Sequence, residues 1–185
     1  MPIKTVTVYS SMATNLPPEY YTAARELGAA LGDAKINVVY GGSNRGIMGT
    51  IADAVLERGG HVTGIFPNVP KLMPTKHTGL SDTVLVNEMH ERKREMCQRA
   101  DAFIVMPGGY GTLDEVFEVL TLRKLELHTK HVFFFNQNGY WQPMMTMLAH
   151  FISLRTMNPD HLSYFSFAQS VPELMAMLEQ PPQPE

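Results

Sequence analysis

AFIVMPGGYGTLDEVFEVL, residues 102–120, runs from an apolar, β-branched and aromatic stretch through a proline and three glycines to an acidic pair and then a helical pattern. A short apolar run closed by such punctuation reads as a buried strand, so the segment is strand, glycine turn, helix. The turn admits two readings. Thr112 and Glu115 have the spacing of a capping box, in which each side chain satisfies an orphan backbone N–H of the first helical turn. Alternatively the glycines cradle a phosphate and Glu115 is a catalytic carboxylate behind it.

The same unit recurs along the chain. Residues 6–10, 36–40, 61–66, 83–86, 102–106 and 132–135 read as buried strands. Helical patterns fall between them, from the Pro17-Pro18 start to about residue 31, then over 46–58 with Gly59-Gly60 behind it, 89–99, 112–127 and 141–154. Alternation at this length predicts an α/β fold, a Rossmann-like, doubly wound and mostly parallel sheet with helices on both faces and right-handed crossovers. One domain is expected over 1–180, with a Pro-rich, frayed tail at 181–185. The longer loop at 67–81, with Pro70, Pro74 and Gly79, has a length at which loops either cover a site, as a lid would, or are mobile.

Composition narrows the function classes. Apolar residues are 44% and charged residues 18%, which disfavours disorder, and no apolar run approaches the roughly 20 residues of a membrane helix. A net charge of −3, with no basic tract beyond ERKR at 91–94, gives no footprint for duplex nucleic acid. The expected partner is therefore a small anionic molecule, with no nucleic acid and no membrane. Cys97, the single cysteine, cannot form an internal disulfide and reads as core filler. MPIKTVTVYSS enters a strand pattern without a signal-like layout, so a cytoplasmic protein is expected. The seven histidines show no metal-ligand spacing, and no metal and no cofactor are predicted. His90 reads as a solvated or capping residue. The methionines at 144, 145, 147, 175 and 177 lie in helical segments and read as core or interface filler.

Ligands of such sheets bind beyond the carboxyl ends of the strands. The residues that follow the strands here are Ser10-Ser11, GGSNRGIMG (41–49) and PGGYGT (107–112). Two glycine-rich turns direct N–H groups and positive helix ends at one edge, which suits an anion. Neither turn is a Walker loop or a clean dinucleotide fingerprint with its acidic partner, which disfavours an ATPase or a dinucleotide dehydrogenase. GGSNRGIMG on its own is equally a tight turn with close helix packing. In EMHERKREM, 88–96, a helix puts Met89, Arg92, Lys93, Met96 and Ala100 on one stripe. One cation could snorkel from it. Two adjacent cations in the first turn, at the edge shared with the PGG loop, point instead to a waiting anion and can face Glu115.

VVYGGSNRGIMG, MHERKREM and PGGYGTLDE, in this order and at these separations, resemble the Lonely Guy (LOG) family, the cytokinin riboside 5′-monophosphate phosphoribohydrolases formerly labelled lysine decarboxylases. The resemblance spans about residues 6–178. It implies a Rossmann-like homodimer that binds a nucleotide and hydrolyses its N-glycosidic bond to free base and ribose 5-phosphate. Arg92 and Glu115 correspond to the family's catalytic pair. Lys93, Gly108, Gly109, Tyr110, Gly111, Thr112, Leu113, Asp114 and Thr121 correspond to substrate contacts. The old label finds no support, since no lysine is marked out for a Schiff base with pyridoxal phosphate. Two departures bear on the base: Leu122-Arg123-Lys124 replaces a Trp and Gln common after the family threonine, and residues 71–82 fit the family pattern poorly. The alternatives are an N-glycosidase for another nucleotide such as AMP, or a non-catalytic protein that binds a nucleotide or the molybdenum cofactor.

Overall fold

A computed structural model of the chain describes residues 2–181; of the tail expected at 181–185, residues 182–185 lie outside the described residues. The elements are β1 (Thr5–Tyr9), α1 (Pro18–Asp33), β2 (Asn37–Tyr40), α2 (Gly46–Glu57), β3 (Val62–Pro67), β4 (Asp82–Val86), α3 (Met89–Arg99), β5 (Ala102–Val105), α4 (Tyr110–Lys124), β6 (Val132–Phe135), α5 (Gln142–Ser153), β7 (Phe165–Ala168) and α6 (Val171–Glu179). Short 3₁₀ turns stand at Met73–Thr75, Gln137–Gly139 and Pro159–Tyr164.

The strands form one sheet in the order β4-β3-β2-β1-β5-β6-β7, and the strand pairings are parallel throughout. Strands buried on both faces explain the continuous apolar runs: AFIV of β5 and VFFF of β6 are buried along their whole length. Alternation divides them between two cores. Val6, Val8, Ile104, Phe133 and Phe135 pack against α1, α2 and α6, whereas Tyr9, Phe103, Val105, Val132 and Phe134 pack against α3, α4 and α5. Cys97 is buried in the second core as expected.

The chain winds outward from β1 to β4 and then returns to lay β5 on the other side of β1. The β1 and β5 loops therefore diverge at the topological switch point, where such sheets open a crevice. Ser11 N–H donates to Pro107 O at 3.1 Å and ties the two loops together.

One strand was not legible in the sequence: β7, FSFA, has two half-buried positions out of four and no turn signal of its own. α6 holds the helical segment expected around Met175 and Met177 and starts at Ser170, whose Oγ accepts from Glu173 N–H at 3.4 Å, while Glu173 Oε2 accepts from Gln169 N–H at 2.6 Å. The loop at 67–81 is docked onto the second glycine turn. Asn44 N–H donates to Thr75 O at 2.8 Å, His77 N–H to Gly42 O at 2.9 Å, and the His77 ring lies 2.9 Å from Asp53.

The first two helices meet through glycine. A Cβ at Gly28 would stand 2.6 Å from Ile51 O and 2.7 Å from Ala54 Cβ, neither of which can swing aside. Gly28→Ala therefore forces the two helices apart, an overpacking cost of about 1–3 kcal/mol against a helix-propensity gain near 1 kcal/mol. The expected result in a thermal melt is a Tm lowered by a few degrees.

Candidate active site

A cavity of about 440 Å³ opens at the switch point, a volume in the range of small-molecule sites. Four strand ends supply its walls: Ser10 to Ala13 follow β1, Gly41 and Ser43 follow β2, Phe66 and Pro67 end β3, and Gly109, Gly111 and Thr112 follow β5. Leu72 and Thr75 reach it from the 67–81 loop, and Met48, Met89, Arg92 and Glu115 from the helices.

Arg92 and Glu115 meet in this cavity. Arg92 Nη1 donates to Glu115 Oε1 at 2.6 Å, and Arg92 Nε donates to Ile65 O at 3.0 Å, so the guanidinium is fixed at two points. Both side chains are about nine-tenths buried. Burial pushes the Glu115 carboxyl above the ordinary carboxylate range, and the Arg92 charge and hydrogen bond pull part of that back. As pH falls, Glu115 is consequently neutralised earlier than an exposed glutamate.

The second glycine turn serves this pair. A Cβ at Gly41 would stand 2.0 Å from Arg92 Nη2 and 2.4 Å from Met48 Cε, so Gly41 makes the room that the guanidinium occupies. Gly42 and Gly46 adopt φ of +76° and +57°, which favour glycine. Tight turn and site construction are thus the same feature.

The capping-box reading of Thr112 and Glu115 does not hold. α4 starts two residues earlier than expected, Gly109 stands at its N-cap with no side-chain bond, and Thr112 lies inside the first turn. Glu115 is committed to Arg92 instead. Thr112 is buried against Gly108, where a Cβ would fall 2.0 Å from Thr112 Oγ1. A Cβ at Gly109 or Gly111 would meet open space. The N–H groups of Tyr110, Gly111 and Thr112 belong to the turn that has no partner within the helix.

The other expected contacts are dispersed. The anion expected opposite Lys93 is the protein's own: Lys93 Nζ lies 3.0 Å from Asp114 Oδ1 and 2.5 Å from Glu118 Oε2, and neither Lys93 nor Asp114 lines the cavity. Gly108 O accepts from Tyr140 Oη at 3.0 Å, Leu113 packs on the second core, and Tyr110 stands 94% exposed. Thr121 opens on a second hollow with Phe117, Lys124 and His161. Arg123, expected to bear on the base, turns away: its Nη1 donates to Lys130 O at 2.9 Å and Tyr164 O at 3.1 Å, a strut between α4 and the sheet. His90 is exposed beside Glu88 at 3.1 Å. The sequence reading did not single out the apolar walls formed by Met12, Met48, Phe66, Leu72 and Met89. Met89, on the stripe shared with Arg92, is half exposed at the cavity.

Fold and site define a Rossmann-like α/β protein whose polar site is a buried Arg–Glu pair at the switch point, facing a glycine-rich helix start. A family model described as "Possible lysine decarboxylase" matches residues 48–178. The cytokinin riboside 5′-monophosphate phosphoribohydrolase LOG7 of Arabidopsis thaliana is 37% identical over 179 residues, 96% of this chain and 82% of that protein. The cytokinin riboside 5′-monophosphate phosphoribohydrolase of Rhodococcoides fascians is 40% identical over 148 residues, 80% of this chain and 75% of that protein. Among solved structures, the molybdenum cofactor binding protein of Rippkaea orientalis superposes with a TM-score of 0.73 at 19% identity over 96% of both chains, a likeness of fold. The chain belongs to the LOG family, whose family model carries the older lysine decarboxylase description.

Gly41→Ala tests the construction of the pair. The added methyl meets only the ends of flexible side chains, so the fold should hold while Arg92 is displaced, with Tm lowered by a few degrees as Glu115 loses part of its pairing. A misplacement of this size costs about 100-fold in turnover, to be measured beside a circular-dichroism melt.

Proposed function

We propose that this protein is an enzyme that hydrolyses the N-glycosidic bond of a cytokinin-type nucleoside 5′-monophosphate, giving free base and ribose 5-phosphate. The observation that carries the reading is the Arg92–Glu115 pair, buried in a cavity that also holds an uncapped helix start. The names of the related plant and bacterial proteins support it.

In this reading the 5′-phosphate takes the N–H groups of Tyr110, Gly111 and Thr112, where the helix dipole favours negative charge and the missing side chains of Gly109 and Gly111 leave room. The base lies toward Met12, Met48, Phe66, Leu72 and Met89. As the C1′–N bond breaks, its electron pair leaves with the base and positive charge develops on the ribose. Glu115 stabilises that charge and takes a proton from the attacking water, whose oxygen bonds to C1′. The proton ends on the departing base nitrogen. Arg92 holds Glu115 ionised against the burial that would neutralise it and aims the carboxylate.

The reading extends to a cytoplasmic, single-domain protein over residues 1–180 that works as a homodimer. No helix among the described residues is long and apolar enough to cross a membrane. Leu125, Leu127, Phe151 and Leu154, in or just after the helices α4 and α5 that help line the second hollow, leave apolar surface open that a partner copy would cover. Thr121, on that hollow, can then touch only a substrate held by the partner.

A panel of cytokinin-type and unmodified nucleoside 5′-monophosphates, each beside its nucleoside, tests the function by release of ribose 5-phosphate or ribose. The monophosphates should be cleaved, with the cytokinin type preferred. Nucleosides should react at least about 100-fold more slowly, having lost charge-assisted hydrogen bonds worth about 1.5–3 kcal/mol each. Preference for AMP would keep the chemistry and change the base. Tight binding of a nucleotide without release of product would favour a carrier.

A further inference from the structure

The cation next to Arg92 has a different use from the one its place in the motif implies. Lys93 Nζ bridges Asp114 Oδ1 at 3.0 Å and Glu118 Oε2 at 2.5 Å, which joins α3 to two positions of α4 four residues apart. These are the two helices that carry Arg92 and Glu115; Lys93 follows Arg92 directly, and its two carboxylates flank Glu115 in sequence. Asp114 precedes Glu115, and Glu118 follows it by less than one helical turn. Lys93 is partly buried and shares no wall with the cavity.

We infer that Lys93, Asp114 and Glu118 form a clamp that sets the spacing of α3 and α4, so that Lys93 is a positioning residue for the Arg92–Glu115 pair and makes no contact with substrate. The 2.6 Å bond between Arg92 and Glu115 tolerates little relative movement of the helices. Arg92 is anchored at one end to Ile65 O on β3 and at the other to Glu115, so among the described residues the only ion pairs that join α3 to α4 are this pair and the clamp. The carboxylates also hold the lysine: its amine is pushed above its usual range, chiefly by its hydrogen bond to Glu118. An amine already bridging two carboxylates has little attraction left for a phosphate.

The groups that face Glu115 are Arg92 and Lys93 from α3, Asp114 on its own helix and Tyr9 from β1. Lys93 lowers the Glu115 titration by its charge, so Lys93→Met raises it by charge loss alone. Glu118→Gln separates the two roles, because it removes a negative charge and loosens the clamp together. By charge alone it would lower the Glu115 titration or leave it unchanged. By releasing Arg92 from Glu115 it raises it.

The inference rests on the hydrolase reading only for its kinetic arm. With the preferred monophosphate, Lys93→Met and Glu118→Gln should each lower kcat about tenfold or more with KM within about threefold. The double variant should be no worse than either single one, since both break one interaction. Lys93→Arg should restore most of the rate. A raised KM with kcat unchanged in Lys93→Met, beside a wild-type Glu118→Gln, would make Lys93 a substrate contact and overturn the clamp. In a ¹³C NMR titration of the Glu115 carboxyl, Glu118→Gln should move the midpoint upward. An unchanged or lowered midpoint overturns the inference. That arm needs no turnover, so a wild-type protein inert to every monophosphate would sink the hydrolase reading and leave the clamp decided by the titration.

Discussion

The ion pair between Arg92 and Glu115 is the constraint around which the carboxyl edge of the sheet is built. Burying a carboxylate costs several kcal/mol unless it is paired and hydrogen-bonded. The burial of Glu115 is compensated by one guanidinium, itself anchored on the carbonyl of Ile65 at the end of β3. Three strands are thereby committed to one geometry. β2 must end in glycine to make room for Arg92, β3 must present a carbonyl, and β5 must lead directly into the helix that carries Glu115.

The pair also explains why the site is half apolar. Met12, Met48, Phe66 and Leu72 lower the local dielectric, which strengthens the attraction between Arg92 and Glu115 and raises the cost of losing either. The same walls suit a flat or aliphatic group, and the helix start opposite suits an anion. One cavity thus offers an apolar surface, a carboxylate and a cluster of N–H donors, the three things that a glycosidic bond between a base and a phosphorylated sugar needs. Breaking the pair by neutralising one partner leaves the other buried without its counter-charge, so such losses spread beyond the chemistry into local stability.

The fold was largely legible in the sequence because its strands are buried on both faces and so appear as short continuous apolar runs with clear stops. AFIV and VFFF could hardly be anything else. β7 escaped because an edge strand of four residues, two of them half buried, carries neither that run nor a clean alternation. The polar centre was legible too, since Arg92 and Glu115 stand in the first two turns of helices that follow strands ending at one edge. What the sequence could not show was partnership. A helical wheel puts Lys93 beside Arg92, but a difference of 100° in direction sends one side chain into the cavity and the other to Asp114 and Glu118. The Thr-x-x-Glu spacing misled for a similar reason: it describes a cap only if the helix starts at the threonine, and here glycine lets it start earlier. Arg123 belongs to the stretch that departs from the family pattern, and in the fold it is spent on the carbonyls of Lys130 and Tyr164.

The central claim is that Glu115 acts as a charged carboxylate on a bound nucleotide and is not merely the structural counter-ion of Arg92. Glu115→Gln keeps the shape and a hydrogen-bond acceptor for Arg92 while removing the charge and the base. Single-turnover release of ribose 5-phosphate, measured with enzyme in excess over a cytokinin-type monophosphate, tests it most directly when nucleotide binding is followed in parallel. The account predicts that release falls by at least about 100-fold, the scale of general-base and electrostatic losses, while the nucleotide still binds through the helix start. Release at close to the wild-type rate would contradict it and leave Glu115 as a counter-ion only.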